Sequence, residues 1–262
     1  MLTFNNLGRL GRLGNGLFQV ASTIGIAQKH GYAYGFPTWR NYDHIERFGF
    51  QEDIDVHKYF LNPLPGRPEG VHFEHKTVDW GYQDLHLPDR NFSLDGHMQS
   101  EKYFAHCAEL VRHYFTLDDS LFPAHCRDLA DEQNTCGIHI RRGDYDNDYH
   151  PFCTAQYYHE AMATFPEATK WMVFSDAPAQ AREIVGPHAE YVEGQHYMND
   201  FYMMTRCKNF IICNSTFSWW GAWLIRHPGK VVISPSADNW FGQVAGINGR
   251  DIIPSDWLQV EF

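Results

Sequence analysis

From residue 136 onward the chain alternates short apolar runs with helical segments, and this alternation limits its possible folds more than any other feature. Ile138–Ile140, Lys170–Phe174, Tyr191–Val192, Phe210–Cys213 and Val231–Ile233 read as strands. Between them, helices are predicted over 154–164, near 178–185, from an Asn199–Asp200 cap through about Cys207, and after Thr216 through about Ile225. Strands alternating with helices imply a parallel sheet with right-handed crossovers, an α/β fold. In such sheets ligands bind beyond the carboxyl ends of the strands. Three polar strand ends fall on that edge: His139-Ile140-Arg141-Arg142, Ser175-Asp176 and Asn214-Ser215-Thr216.

The segment Gly137–Tyr145 is an apolar strand that runs into a polar turn. Successive side chains alternate across a strand, so Arg141 and Arg142 project differently; one can face a ligand while the other braces the loop. Arginine suits phosphate because its planar fork donates bidentate, permanently charged hydrogen bonds. Asp144 either anchors the second arginine or acts on a substrate proton, and a plain Arg–Asp turn ion pair is the alternative. Ser215, Thr216 and the helix they open add hydroxyls and backbone N–H groups, which completes a diphosphate pocket. Asp176 and Asp200 can each accept from a guanine edge or a ribose hydroxyl, or serve as helix caps. Phe217, Trp219, Trp220 and Trp223 lie on a predicted helix and are mostly core, with one left to line a base or sugar pocket.

The first half is less regular. Leu2–Phe4 reads as a strand, and four glycines between Gly8 and Gly16 form a loop ahead of a helix. That helix carries Leu17, Val20, Ala21, Ile24 and Ala27 at helical spacing and stops before Gly31, a C-cap. The loop offers backbone N–H groups to an anion, or is simply a turn that needs glycine. Its Gly11-x-x-Gly14-x-Gly16 spacing has the wrong order for the dinucleotide fingerprint. Tyr32–Phe36 reads as a second strand. Residues 37–95 are irregular, and Trp39, Tyr42 and Trp80 either stack on sugar rings or pack in the core. A helix is predicted after Phe104, with Tyr103, Phe104, Cys107, Leu110, Val111, Tyr114 and Phe115 on its apolar face. The polar stretch 116–134 bridges two lobes, taken as 1–130 and 131–262.

Composition narrows the ligand class. A net charge of −11 gives no general attraction to nucleic acid or anionic lipid, so an anionic ligand must be met by a local cluster such as Arg141 and Arg142. Six cysteines without a C-x-x-C pair look like a reduced set, and 16 scattered histidines form no metal-ligand pattern. With no signal peptide and no apolar run near 20 residues, a cytoplasmic location is expected.

Five motifs, in order, carry a resemblance: Gly11-Arg12-Leu13-Gly14-Asn15-Gly16-Leu17-Phe18-Gln19, Gln99-Ser100-Glu101-Lys102-Tyr103-Phe104, His139-Ile140-Arg141-Arg142-Gly143-Asp144, Phe174-Ser175-Asp176 and Asn214-Ser215-Thr216-Phe217-Ser218-Trp219-Trp220-Gly221-Ala222-Trp223-Leu224. Together they resemble the α-1,2-fucosyltransferase family. The resemblance implies a two-lobed GT-B-like fold, with a Rossmann-like sheet in the C-terminal half that binds the donor. It implies metal-independent, inverting transfer of L-fucose from GDP-β-L-fucose to a glycan hydroxyl, commonly O2 of a galactoside, with no cofactor. Arg141 would hold the β-phosphate, His139 seat the nucleotide, Asp176 or Asp200 read guanine, and Asn214, Ser215, Thr216 and Phe217 complete the donor site. Arg142 and Asp144 would join the catalytic set, with Asp146 and Asp148 as outlying bases. Gly14, Asn15 and Gln19 would form the N-terminal loop, and Gln99, Ser100 and Lys102 the acceptor side. Gly16, where the family usually has glutamine, and His97-Met98, where it has an aromatic pair, bear on the acceptor. Transfer from another nucleotide sugar, and glycan or nucleotide binding without catalysis, are the alternatives.

Overall fold

A computed structural model describes residues 1–40, 55–128, 134–146, 148–167 and 169–262. Contacts divide the chain into two compact units, Met1–Asp118 and Asp119–Phe262. The boundary read from sequence, between 130 and 131, lies outside the described residues, as does Tyr42. Residues just after Asp118 belong to the second unit because Phe122 stacks on Tyr202 at 4.1 Å and the Tyr202 hydroxyl donates to Asp119 at 3.0 Å.

The first unit contains a three-stranded parallel sheet of β1 (Leu2–Thr3), β2 (Glu74–Thr77) and β3 (Phe92–Asp95), in the order β1-β3-β2. Helix α1 (Leu13–His30) starts earlier than its apolar spacing suggests, so Gly14 and Gly16 lie inside the helix and not in a loop. Gly16 serves packing: a β-carbon there would stand 2.4 Å from the Trp39 indole. At the other end Gly31, at φ 71°, makes the expected left-handed C-cap. Tyr32–Phe36 forms only isolated bridges, Tyr34 with Leu2 and Phe36 with Gly66, so the expected second strand is not built. The helix expected after Phe104 is broken into two 3-10 turns, Glu101–Tyr103 and Ala105–Cys107, before α2 (Ala108–Tyr114). Phe104, buried at φ −132° and ψ 2°, takes the backbone off the helical path between them.

In the second unit the predicted alternation becomes a six-stranded parallel sheet. It comprises β4 (Thr135–Ile140), β5 (Lys170–Ser175), β6 (Glu190–Val192), β7 (Asn209–Ile211), β8 (Val232–Pro235) and β9 (Leu258–Val260), in the order β6-β5-β4-β7-β8-β9. Strand β9 was not legible in the sequence because Leu258 and Gln259 lie exposed at the sheet edge, without a buried apolar run. The helices are α3 (Ala124–Asp128), α4 (Ala155–Met162), α5 (Pro178–Val185), α6 (Tyr197–Arg206) and α7 (Thr216–Leu224). Helix α6 is capped by His196, whose Nδ1 accepts from Met198 N–H, while Asn199 and Asp200 fall in its first turn. Beneath the sheet, Tyr157 and Tyr158 are fully buried, and their hydroxyls donate to the carbonyls of Ile212 and His139. These bonds satisfy polar groups that would otherwise be stranded in the core.

The strand order places the ligand edge. The chain runs outward from β4 through β5 to β6, then returns to β7 beside β4 and runs the other way through β8 to β9. The topological switch point therefore lies between β4 and β7, where crossovers depart in opposite directions and leave a crevice at the carboxyl ends. Among the described residues no helix is long and apolar enough to cross a membrane, and none of the six cysteines forms a disulfide.

Candidate functional site

At the end of β4 the two arginines part as strand geometry requires. The Arg142 guanidinium turns back to the loop, donating to the carbonyls of Arg141 (3.1 Å) and Cys153 (2.8 Å), with the Phe152 ring 4.9 Å away. It is a brace. Arg141 points the other way, into a carboxylate cage, with its Nη1 3.0 Å from Asp176 and its Nε 3.1 Å from Asp144. Asp144 thus holds the first arginine and not the second. Burial alone would lower the Arg141 pKa, but Asp176 and Asp144 outweigh it and hold the guanidinium charged above its ordinary range.

Asp176 organises this turn. Its Oδ1 accepts from Arg142 N–H at 2.9 Å and its Oδ2 from Gly143 N–H at 3.0 Å. With Arg141 also on Oδ2, Asp176 accepts from three donors of this turn. A β-carbon at position 143 would lie 2.4 Å from Asp176 Oδ2, so any side chain there would have to displace that carboxylate.

The facing strand end, after β7, is tied to the same turn. Tyr145, half-buried beside Arg141, donates its hydroxyl to the Asn214 carbonyl at 2.8 Å. The Asn214 side chain donates to the carbonyls of Pro151 (2.9 Å) and Trp240 (3.1 Å), so it ties loops together and leaves ligand contact to its neighbours. Ser215 is the N-cap residue of α7 but its side chain makes no capping bond, and Thr216 opens the helix. The first-turn N–H groups of α7 therefore stand beside Arg141's strand end as a site for negative charge. Phe217 packs against His139 at 5.9 Å and against Tyr197 and Phe201 of α6 at 6.5 and 5.4 Å.

Asp200, on the same helix as Tyr197 and Phe201, accepts from the Gln195 amide at 2.7 Å. Burial pushes its carboxyl up to about 6, and the Gln195 bond opposes that rise. A folded-state value above the unfolded one favours the protonated form. Its contribution is thus fully present below about pH 4 and is lost as pH rises through about 6. Asp200→Asn is expected to stabilise the protein by roughly 1–2 kcal/mol at pH 7.5 and hardly at all at pH 4. Paired thermal melts at the two pH values check this, and equal shifts at both would contradict it.

In the N-terminal unit, Gln99 donates to Asn15 Oδ1 at 2.8 Å, and Gln19 donates to the Leu10 carbonyl at 2.8 Å. Ser100 Oγ accepts from Lys102 N–H at 3.3 Å, and the Lys102 side chain is exposed. Gly14 is buried in α1. The structure thus gathers Asn15, Gln19, Gln99 and Ser100 around the start of α1, while Arg141, Asp144, Asp176, His139 and 214–217 gather at the switch point. The sequence did not show that the turn would carry Tyr145 to the Asn214 carbonyl, or that Cys213, in an apolar run, would stand against His139.

Residues 72–260 match the model of Glycosyl transferase family 11. An alpha-1,2-colitosyltransferase of Escherichia coli is 32% identical over 181 residues, covering 63% of this chain and 61% of the relative. A galactoside alpha-(1,2)-fucosyltransferase 1 of Alouatta caraya is 27% identical, covering 82% of this chain and 63% of its own. The chain thus spans under two thirds of the length of both relatives. Among solved structures, the fucosyltransferase NodZ from Bradyrhizobium aligns with a TM-score of 0.55 at 15% identity, over 91% of this chain and 95% of that one. Apo POFUT1 aligns with a TM-score of 0.51 at 12% identity, over 89% and 97%. These likenesses show the fold, the two-unit α/β architecture of GT-B-like glycosyltransferases. With more than half of its length matched, the chain belongs to glycosyl transferase family 11.

Proposed function

We propose that the protein transfers L-fucose from GDP-β-L-fucose to O2 of a galactoside, with inversion and without a metal ion. The observation that carries this reading is Arg141, a charged guanidinium held by two carboxylates at the topological switch point. Family membership supplies the class of reaction, sugar transfer from an activated donor. The acceptor oxygen attacks C1 of the sugar as the bond from C1 to the β-phosphate oxygen breaks, and GDP leaves with the bonding pair. Negative charge grows on that phosphate, and Arg141 together with the α7 N-terminus meets it with fixed positive charge, usually the largest catalytic term. Asp144, ion-paired to Arg141, is a poor base, so the acceptor proton passes to the departing phosphate. Asp176 already holds three donors of the turn, which makes Asp200 the first choice to accept from the guanine edge. Asn15, Gln99, Ser100 and Lys102 serve the acceptor side.

A second reading has a specific observation behind it. The Escherichia coli relative is a colitosyltransferase, and colitose is fucose without its 3-hydroxyl. One experiment tests both: incubation with each GDP-sugar and a panel of galactosides in excess chelator, with the product linkage read by NMR. An α-1,2-fucosyl product formed at an unchanged rate is expected. Exclusive use of GDP-colitose would replace the donor. A strict need for a divalent ion would overturn the metal-free mechanism, and no transfer to any acceptor would favour a binding protein.

A further inference from the structure

His139 is 5% exposed and lies on β4 two residues before Arg141, which follows the end of the strand and whose charge acts on the imidazole. Its Nδ1 stands 3.2 Å from the Sγ of Cys213, a buried thiol just beyond β7, on the other side of the switch point. A neutral imidazole has one N–H and one lone pair, and its partner decides which nitrogen carries the proton. The Cys213 thiol has a single proton and two neighbours able to accept it. Ser218 Oγ is 3.9 Å away, and the imidazole nitrogen is the nearer acceptor. The Ser218 hydroxyl is in turn directed to the Ser215 carbonyl at 3.2 Å. With the thiol proton directed to the imidazole, Nδ1 accepts and the ring proton lies on Nε2, for which no protein partner is found among the described residues.

We propose that Cys213 is a positioning residue: its thiol fixes His139 as the Nε2–H tautomer, so that the imidazole donates a neutral hydrogen bond to a diphosphate oxygen of the nucleotide sugar beside Arg141. The ligand half of this proposal rests on the donor site described above; the tautomer half does not. Burial and the Arg141 charge push His139 down to about 3, and burial pushes the Cys213 thiol up, so both groups stay neutral across the working range. The pair thereby supplies a donor whose strength does not change with pH, next to an arginine that supplies the charge.

Nitrogen-15 spectra of the imidazoles in ligand-free protein, with His139 assigned by its substitution, test the tautomer directly. The native protein should show Nε2 bearing the proton and Nδ1 without one. Cys213→Ser, which keeps a donor, should preserve that pattern, while Cys213→Val should lose it. Calorimetric titration with GDP should then show affinity reduced about tenfold in Cys213→Val, the worth of one buried hydrogen bond, and restored to within about twofold in Cys213→Ser. A proton on Nδ1 in the native protein, or unchanged GDP affinity in a folded Cys213→Val, would overturn the proposal. Native protein with the expected tautomer but no affinity for GDP would instead overturn the donor site, and the ligand half with it.

Discussion

Replacing Arg141 with alanine is expected to lower kcat by roughly 10²–10³-fold, the range for losing a group aimed at developing charge. The fold should survive. Its two ion pairs are partly exposed, with Asp144 40% and Asp176 23% accessible, and pairs of that kind contribute about 1 kcal/mol or less each. Arg141→Lys should recover only part of the rate, because an ammonium keeps the charge but not the planar fork that meets two oxygens at once. The kinetics should separate from those of Arg142→Ala. That change removes bonds to the carbonyls of Arg141 and Cys153, and should lower the melting temperature along with activity. Near-normal turnover in folded Arg141→Ala would remove this residue from the phosphate site.

The second large effect is expected at Asp176, through the backbone it holds. Asparagine has nearly the same shape but replaces one acceptor with a donor. If the new amide group lies at Oδ1 it faces the Arg142 N–H, and at Oδ2 it faces Gly143 N–H and the Arg141 guanidinium. Either orientation sets donor against donor. Loss of hydrogen bonds to a charged group costs roughly 1.5–3 kcal/mol, which lowers the melting temperature by several degrees for a chain of this size. Displacement of Arg141 should add a rate loss of about 10²-fold, since small misplacements of a catalytic group carry penalties of that order. A melt and a kinetic assay on Asp176→Asn check both. A normal melt with lost nucleotide affinity alone would instead return Asp176 to the guanine edge.

The alternation that built the second sheet was legible because its central strands are buried on both faces and read as unbroken apolar runs, as in Phe210-Ile211-Ile212-Cys213. Helix ends with strong local chemistry were legible too, as at Gly31 and at Pro178, which opens α5. Where packing overrides local preference, the sequence misleads. The glycines at 14 and 16 look like a loop, but Trp39, more than twenty positions on, fills the space that Gly16 leaves inside a helix. Phe104 looks like one face of a continuous helix, yet its buried ring marks a break.

The same limit applied to the site. Strand periodicity placed His139, Asp176 and Ser215 on one sheet edge and separated the directions of Arg141 and Arg142. It could not show which arginine would meet Asp144, or that two backbone N–H groups would occupy Asp176, since both follow from the path of the turn. Asn214 is the clearest case. Its type and position suit a phosphate ligand, but the carbonyls of Pro151 and Trp240 claim its amide.

The most direct test of the account is calorimetric titration of the protein with GDP-fucose, GDP-mannose and UDP-galactose in the presence of chelator. GDP-fucose is expected to bind, with UDP-galactose silent and binding largely lost in Arg141→Ala. Absence of binding by every nucleotide sugar, or equal binding by native and Arg141→Ala protein, would contradict the claim that the β4–β7 switch point is a nucleotide-diphosphate site.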